Sequence, residues 1–214
     1  MTIADATPPK LTRPTSTLAD VDRPSAVATG SDGTIYVGGR GYAETLWQVT
    51  PPGMVTVVDE SPNPGVLGLA VAADGTVYYA LANHTIRRWS PTGGVSTLAG
   101  TPGVAGAADG VGTAARFHNP SGLAVDAGGT LYVADRDNHR IRKITSAGAV
   151  TTVAGSTAGF ADAVGTAAQF HTPMGVAVRP DGSLLVADWG NARVRLVAGD
   201  GRVTTYAGRG VVWA

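Results

Sequence analysis

The chain of 214 residues has no cysteine, which excludes disulfides, zinc–thiolate centres and a thiol nucleophile and leaves the redox compartment open. Lysine and glutamate are nearly absent: Lys10, Lys143, Glu44 and Glu60 are the full set, so the long flexible charges that coat solvent-exposed helices are missing. No stretch approaches the roughly 18 apolar residues of a membrane span, and none is expected. Met1 to Pro9 has neither a basic n-region nor an apolar h-region, so no signal peptide is expected. An excess of one charge is lacking too. Sixteen basic residues balance sixteen acidic ones, which argues against nucleic acid or an anionic membrane as partner.

What is abundant points to β-structure. There are 30 glycines and 13 prolines, which punctuate turns and break helices. Valine and threonine recur throughout and suit a pleated surface. No 3.6-residue periodicity stands out, so helical repeats are excluded.

The sequence repeats itself. Gly33, Gly75, Gly129 and Gly182 are spaced by 42, 54 and 53 residues. Each follows an apolar stretch (PSAVATGSD, VLGLAVAAD, PSGLAVDAG, PMGVAVRPD) and precedes another (TIYVGG, TVYYAL, TLYVAD, SLLVAD). Within the third unit the pattern predicts strands over 121–126, 130–135, 139–145 and 149–154, separated by turn residues. Runs such as Leu131–Ala134 are apolar on both faces, as in a sheet covered on both sides by neighbouring sheets. Short strands, hairpin connections and a period of about fifty residues favour radial repetition. The expected fold is all-β: a β-propeller with four four-stranded antiparallel blades, at about 24–60, 64–100, 119–155 and 172–208. Residues 1–14 form a tail and 15–212 the propeller. Thr15–Ala19 (TSTLA) repeats the outer-strand pattern of STLAG, TTVAG and TTYAG, and is expected to be a lone outer strand.

Two segments, GTLYVADRDNHRIRKI (129–144) and GSLLVADWGNARVRLV (182–197), carry Asp-x-x-Asn followed by a basic strand. The first resembles the NHL repeat, whose name includes the Asn-His pair that here is Asn138-His139. The linkers DGVGTAARFHNP (109–120) and DAVGTAAQFHTP (162–173) are similar to the long spacers of bacterial members of that family. The resemblance is strong over 109–208, fair over 64–100 and weak over 24–60. It implies a ring of usually six blades, so four blades imply a fragment of such a ring, an unusual ring or assembly with another copy. Location is left open between a bacterial cytoplasm and, if the N-terminus is incomplete, the cell exterior.

Strand order places the inter-blade linkers 101–119 and 156–172 on one face with the turns Arg136–Arg140 and Trp189–Arg193. Binding loops concentrate where a scaffold tolerates length. The candidate ligand contacts on that linker face are Arg136, Asp137, His139, Arg140, Trp189, Asn191 and Arg193, for a protein or other ligand. Asp135 with Asn138, and Asp188 with Asn191, have two readings. The structural one has the Asp accepting turn N–H groups or pairing with Arg140 or Arg193, and the Asn in left-handed geometry; the chemical one has the carboxylates holding a cation or ligand. The structural reading is preferred because the motif recurs with the fold. Phe117 and Phe170, with Pro120 and Pro173, are expected to plug the gaps between blades. One Asp per linker, Asp109 or Asp162, falls short of a calcium loop.

His118 and His171 share one register and could converge on the channel to hold a divalent metal, the one cofactor option. Asp22 and Pro64 stand at that register in the other units. Arg140 and Arg142 are expected on one face of their strand and Lys143 on the other, so they make no single basic stripe and nucleic acid is not expected. No G-x-S-x-G or P-loop is present, and Ser121 and Ser156 have no implied base. The reading is a non-catalytic binding module. One alternative is a metal-dependent hydrolase or lyase, since the resemblance extends to lactonases and lyases that hold a metal in the channel with Glu, Asp, Asn and His. Both glutamates here lie in the divergent first unit. The other alternative is an incomplete propeller with no activity alone, exposing sheet edges and self-associating.

Overall fold

The computed structural model describes residues 23–40, 46–51, 53–60 and 65–209. The expected tail, the strand at 15–19 and the positions of Asp22, Glu44 and Pro64 lie outside these residues. Blade 1 contains β1 (Pro24–Thr29), β2 (Ile35–Gly39), β3 (Leu46–Thr50) and β4 (Met54–Asp59). Blade 2 contains β5 (Val66–Val71), β6 (Val77–Leu81), β7 (Thr85–Ser90) and β8 (Gly94–Ala99). A short strand, β9 (Gly110–Val111), precedes blade 3, which contains β10 (Pro120–Val125), β11 (Leu131–Asp135), β12 (Arg140–Ile144) and β13 (Ala149–Gly155). Blade 4 contains β14 (Pro173–Val178), β15 (Leu184–Asp188), β16 (Arg193–Val197) and β17 (Val203–Ala207). Each blade is an antiparallel sheet in chain order, and β9 joins the outer edge of the third. The fold is a β-propeller.

Local chemistry dictates the repeat. At the first turn of each blade Gly33, Gly75, Gly129 and Gly182 have φ of 80–84°, a conformation only glycine adopts without strain. Asp32, Asp74, Asp126 and Asp181 accept the backbone N–H of Thr34, Thr76, Thr130 and Ser183 at 2.8–3.0 Å, which closes the turn. The strand that follows has no wet face where neighbours flank it: all five residues of β6 are buried. The inner strands pack in chain order, β1 on β5, β5 on β10 and β10 on β14. They approach closely near the axis. A Cβ on Gly122 would lie 2.6 Å from both Gly175 Cα and the Met174 carbonyl oxygen.

Between blades the core is continuous. Phe117 and Ala115, from the linker entering blade 3, are packed with Ala80, Ile86 and Ala99 of blade 2. Phe170 and Ala168 are packed in the same way with Ala134, Ile141 and Ala154 of blade 3. Both rings are fully buried, so the plug expected of them is what they form. The linkers do more than decorate one face. Gly112 N–H donates to the Gly148 carbonyl and Gly165 N–H to that of Gly201, so each linker reaches its blade's last turn before it returns. Placing all extra length on one face is therefore corrected: the linker clamps the blade's outer edge because its apolar residues fill the inter-blade seam. Among the described residues the array is an open arc. β1 and β14 do not form the packed pair that joins every other neighbour, and Val27 and Met174 are exposed on them.

Candidate functional site

The Asp-x-x-Asn turns are built as structural knots. Asp135 is fully buried. Its carboxylate accepts the His118 backbone N–H at 2.8 Å, Asn138 Nδ2 at 2.8 Å and Arg142 Nη1 at 2.8 Å. Arg142, fully buried, also donates to Asp109 at 2.7 Å and to the carbonyls of Ala108 and Arg116. Blade 4 repeats the knot: Asp188 accepts from His171 N–H, Asn191 and Arg195, and Arg195 reaches Asp162 at 2.6 Å. In each knot the guanidinium lies beside the plugging ring, 5.3 Å from Phe117 and 5.4 Å from Phe170, and its Nε–H has no acceptor. Burial pushes the Asp135 carboxyl up, and the three donors oppose it.

Two expectations are corrected here. The Asp partners are Arg142 and Arg195, not Arg140 and Arg193. Arg140 stands directly across the ladder from Asp135, yet it turns outward to the carbonyls of Ser156 and Ala107. A buried carboxylate demands the equally buried cation two residues on. The left-handed residue is not Asn138 or Asn191. Those end single 3-10 turns, and the following His139 and Ala192 take φ of 56° and 48°.

The histidines do not converge on a channel metal either. His118 stacks edge-on against His84 at 5.4 Å between centroids, and His171 against His139 at 5.9 Å. Each pair bridges two blades. His84 Nδ1 accepts the Asn119 backbone N–H and His139 Nδ1 that of Thr172, both at 3.1 Å. Asp137 lies 3.9 Å from His118 and is held by Arg136 and Asn119. Among the described residues no three His, Cys, Asp or Glu side chains gather as metal ligands. The carboxylates nearest these histidines are committed to Arg142, Arg195 and Arg136, so these residues do not fit the metal set the resemblance implies. Sequence reasoning missed His84. Its signal was present, since His84 follows Gly75 by nine residues and His139 follows Gly129 by ten.

These histidines carry a pH prediction. Burial and the facing imidazole of His118 hold His84 below its ordinary value of 6.5, opposed by Asp137. Burial, then His171, does the same to His139, against Asp137 and Asp188, with His118 adding to the depression. The unfolded chain therefore takes up more protons than the folded one as pH falls below 6.5. Stability is complete above that pH and declines below it. The urea midpoint should drop between pH 7.5 and 5.5, and the drop should shrink in His84→Gln/His139→Gln. The depressed Asp137 carboxyl adds its own loss only near and below its ordinary 3.8.

The other candidates divide into scaffold and rim. Asn191 Nδ2 bonds the Gly159 carbonyl and Asp188, and Arg136 is neutralised by Asp137. Trp189 is 68% exposed. Arg193 stacks on Phe160 at 4.0 Å and bonds the carbonyls of Asn191 and Arg209. These two residues, with His171, Met174, Val194 and Ala207, line a concavity of about 670 Å³ on blade 4. The basic stretch forms no stripe, because Arg142 is buried. No helix of the described residues is long and apolar enough to cross a membrane.

This architecture, with its repeated Asp–Asn–Arg knot, is that of a β-propeller, and the NHL repeat profile matches residues 117–144. Teneurin-4 of Homo sapiens is 36% identical over 99 residues, which cover 39% of this chain and 4% of that protein. An auxiliary nutrient binding protein from Bacteroides thetaiotaomicron superposes with a TM-score of 0.67 at 22% identity, covering 85% of this chain and 48% of that one. A streptogramin B lyase superposes with a TM-score of 0.62 at 17% identity, covering 87% and 55%. The chain thus spans a small fraction of the sequence relative and about half of each solved structure.

Proposed function

We propose that the chain is a non-catalytic binding module that engages a polypeptide or other ligand at the blade 4 concavity, where Trp189 and Arg193 form the rim. The observation that carries this reading is the concavity itself: an apolar floor of Val194, Ala207 and Met174, edged by an exposed indole, an arginine and His171. Sites of this kind combine apolar area with a few polar groups, and Trp and Arg dominate binding energies. Two solved relatives are described as a nutrient binding protein and a lyase, so the fold accommodates both and the site must decide. Among the described residues the buried carboxylates Asp59, Asp135 and Asp188 are each paired with an arginine, which supports binding over acid–base chemistry.

The test is a ligand and peptide screen read by isothermal titration calorimetry, with Trp189→Ala and Arg193→Ala compared with the parent chain. Hits that weaken by about tenfold or more in either variant are expected. Hits indifferent to both would remove the concavity as the site.

A further inference from the structure

Blades 3 and 4 part on the side away from the Asp–Asn–Arg knots. The antiparallel strand order puts the first and last turns of a blade at one end and the knot, between its second and third strands, at the other. Near the turn end a row of side chains crosses each of the middle blades. In blade 2 it is Tyr78, Arg88 and Ser96, paired across β6, β7 and β8. In blade 3 it is Tyr132, Lys143 and Thr151, paired across β11, β12 and β13. Residues opposite one another in a ladder share a face. Each row therefore presents a tyrosine, a cation and a hydroxyl to the next blade.

The two rows meet that blade differently. Arg88 Nε donates to Ser96 Oγ at 3.2 Å, and its Nη1 crosses to the Ser146 carbonyl, in the last turn of blade 3, at 3.1 Å. The space left beside this bridge is about 180 Å³. The last turn of blade 4, Ala198–Gly201, is closed by its glycine N–H as Thr145–Gly148 is in blade 3, and Gly199 stands where blade 3 has Ser146. Lys143 makes no bridge to it. Neither the Lys143 ammonium nor the Thr151 hydroxyl has a hydrogen-bond or ion-pair partner among the described residues, and both residues are exposed. A groove of about 510 Å³ lies open here, with Leu184 and Val197 at its floor and Val153 and Tyr132 on its wall. Both walls belong to described blades, and the gap stays open because a compact ammonium stands where blade 2 has the forked guanidinium. Asp200, in the facing turn, is already engaged: it accepts the Arg202 backbone N–H at 2.9 Å and lies 3.9 Å from Arg202 Nε.

We propose that this groove binds a small organic monocarboxylate, its anionic end on Lys143 and Thr151 and its apolar body against Val153, Leu184 and Val197. One unpaired ammonium with a neighbouring hydroxyl matches one carboxylate through charge-assisted hydrogen bonds. A dianion such as phosphate would gain no second cation and would face Asp200. The apolar floor requires a hydrocarbon body beyond the charge, as small-molecule sites combine apolar lining with a few polar groups. This site is separate from the blade 4 concavity and does not depend on it.

Lys10 and Lys143 are the only lysines of the chain, so the site carries its own reporter. Reductive methylation with isotopically labelled formaldehyde keeps the lysine charge and gives each lysine a methyl signal in the NMR spectrum. Phenylpropionate titrated into the labelled full chain is expected to shift the Lys143 signal saturably, with a Kd on the order of 1 mM, and to leave the Lys10 signal in place. Acetate, which lacks the body, and phenylpropylamine, which lacks the anion, should bind at least about tenfold more weakly. Lys143→Met assigns the signal and, at an exposed position, should leave the unfolding midpoint unchanged. Saturation-transfer NMR on the unlabelled chain should show phenylpropionate binding weakened about tenfold or more by Lys143→Met and unchanged by Trp189→Ala. Acetate binding as tightly as phenylpropionate would overturn the proposal as unspecific ion pairing. So would the absence of a saturable shift, or full affinity in Lys143→Met. Affinity lost in Trp189→Ala and kept in Lys143→Met would also overturn it, and would leave the blade 4 binding module standing with the carboxylate as its ligand.

Discussion

Replacing Arg142 with leucine is expected to destabilise the chain by about 3–5 kcal/mol, measured as a drop in the midpoint of chemical unfolding. The carboxylate of Asp135 is fully buried and Arg142 is its cation. With the guanidinium gone, Asp135 would keep the His118 N–H and Asn138 as donors but face no positive charge. Leaving a buried charge uncompensated is far costlier than removing an exposed pair. The contrast lies within the same cluster. Asp109 also binds Arg142, at 2.7 Å, but its side chain is 49% exposed. Asp109→Asn is therefore expected to cost less than about 1 kcal/mol. Arg195→Leu should repeat the large effect in blade 4, where Asp188 is the buried acceptor. Comparable small losses for Arg142→Leu and Asp109→Asn would show that the knot is no stronger than a surface pair.

The fold was legible because its determinants are local and repeated. The left-handed glycines, the aspartates that close their turns and the double-sided apolar strands all act within a few residues. Their spacing counts the blades directly. The plugging role of Phe117 and Phe170 was legible for a similar reason, since a lone aromatic in a Gly/Ala linker has only the seam to fill. The ion-pair partners were not. Asp135 faces Arg140 in the ladder, and nothing in the local pattern says that the strand sends Arg142 inward to a dry seam while Arg140 bends to carbonyls at the rim. That choice depends on burial, which a neighbouring linker imposes. His84 was hidden by a turn one residue shorter than in blade 3. The blade 4 concavity has no sequence signal of its own. It exists because residues that are core in blades 2 and 3 are uncovered in blade 4.

Truncating Phe117 to alanine tests whether the blades behave as one cooperative unit. The ring is fully buried between blades 2 and 3, and its loss should cost about 3–5 kcal/mol. In a repeat array, stability is a sum of intrinsic blade terms and nearest-neighbour interface terms. The substitution removes interface and leaves the hairpins of both blades intact. Blades 1 and 2 should then unfold separately from blades 3 and 4. Trp47 and Trp89 lie in the first two blades, whereas circular dichroism reports all four. In a Trp189→Phe/Trp213→Phe background the two probes should give coincident unfolding curves for the parent chain and split curves for Phe117→Ala. Phe170→Ala should move the break, with blades 1–3 retaining the tryptophan transition and blade 4 melting alone. Coincident curves in both variants, at an equally lowered midpoint, would mean that the inner strands near Gly68, Gly122 and Gly175 carry the coupling instead. Those strands approach too closely for a side chain at Gly122. The plug would then be a filler of the seam and not the link that transmits unfolding from one blade to the next.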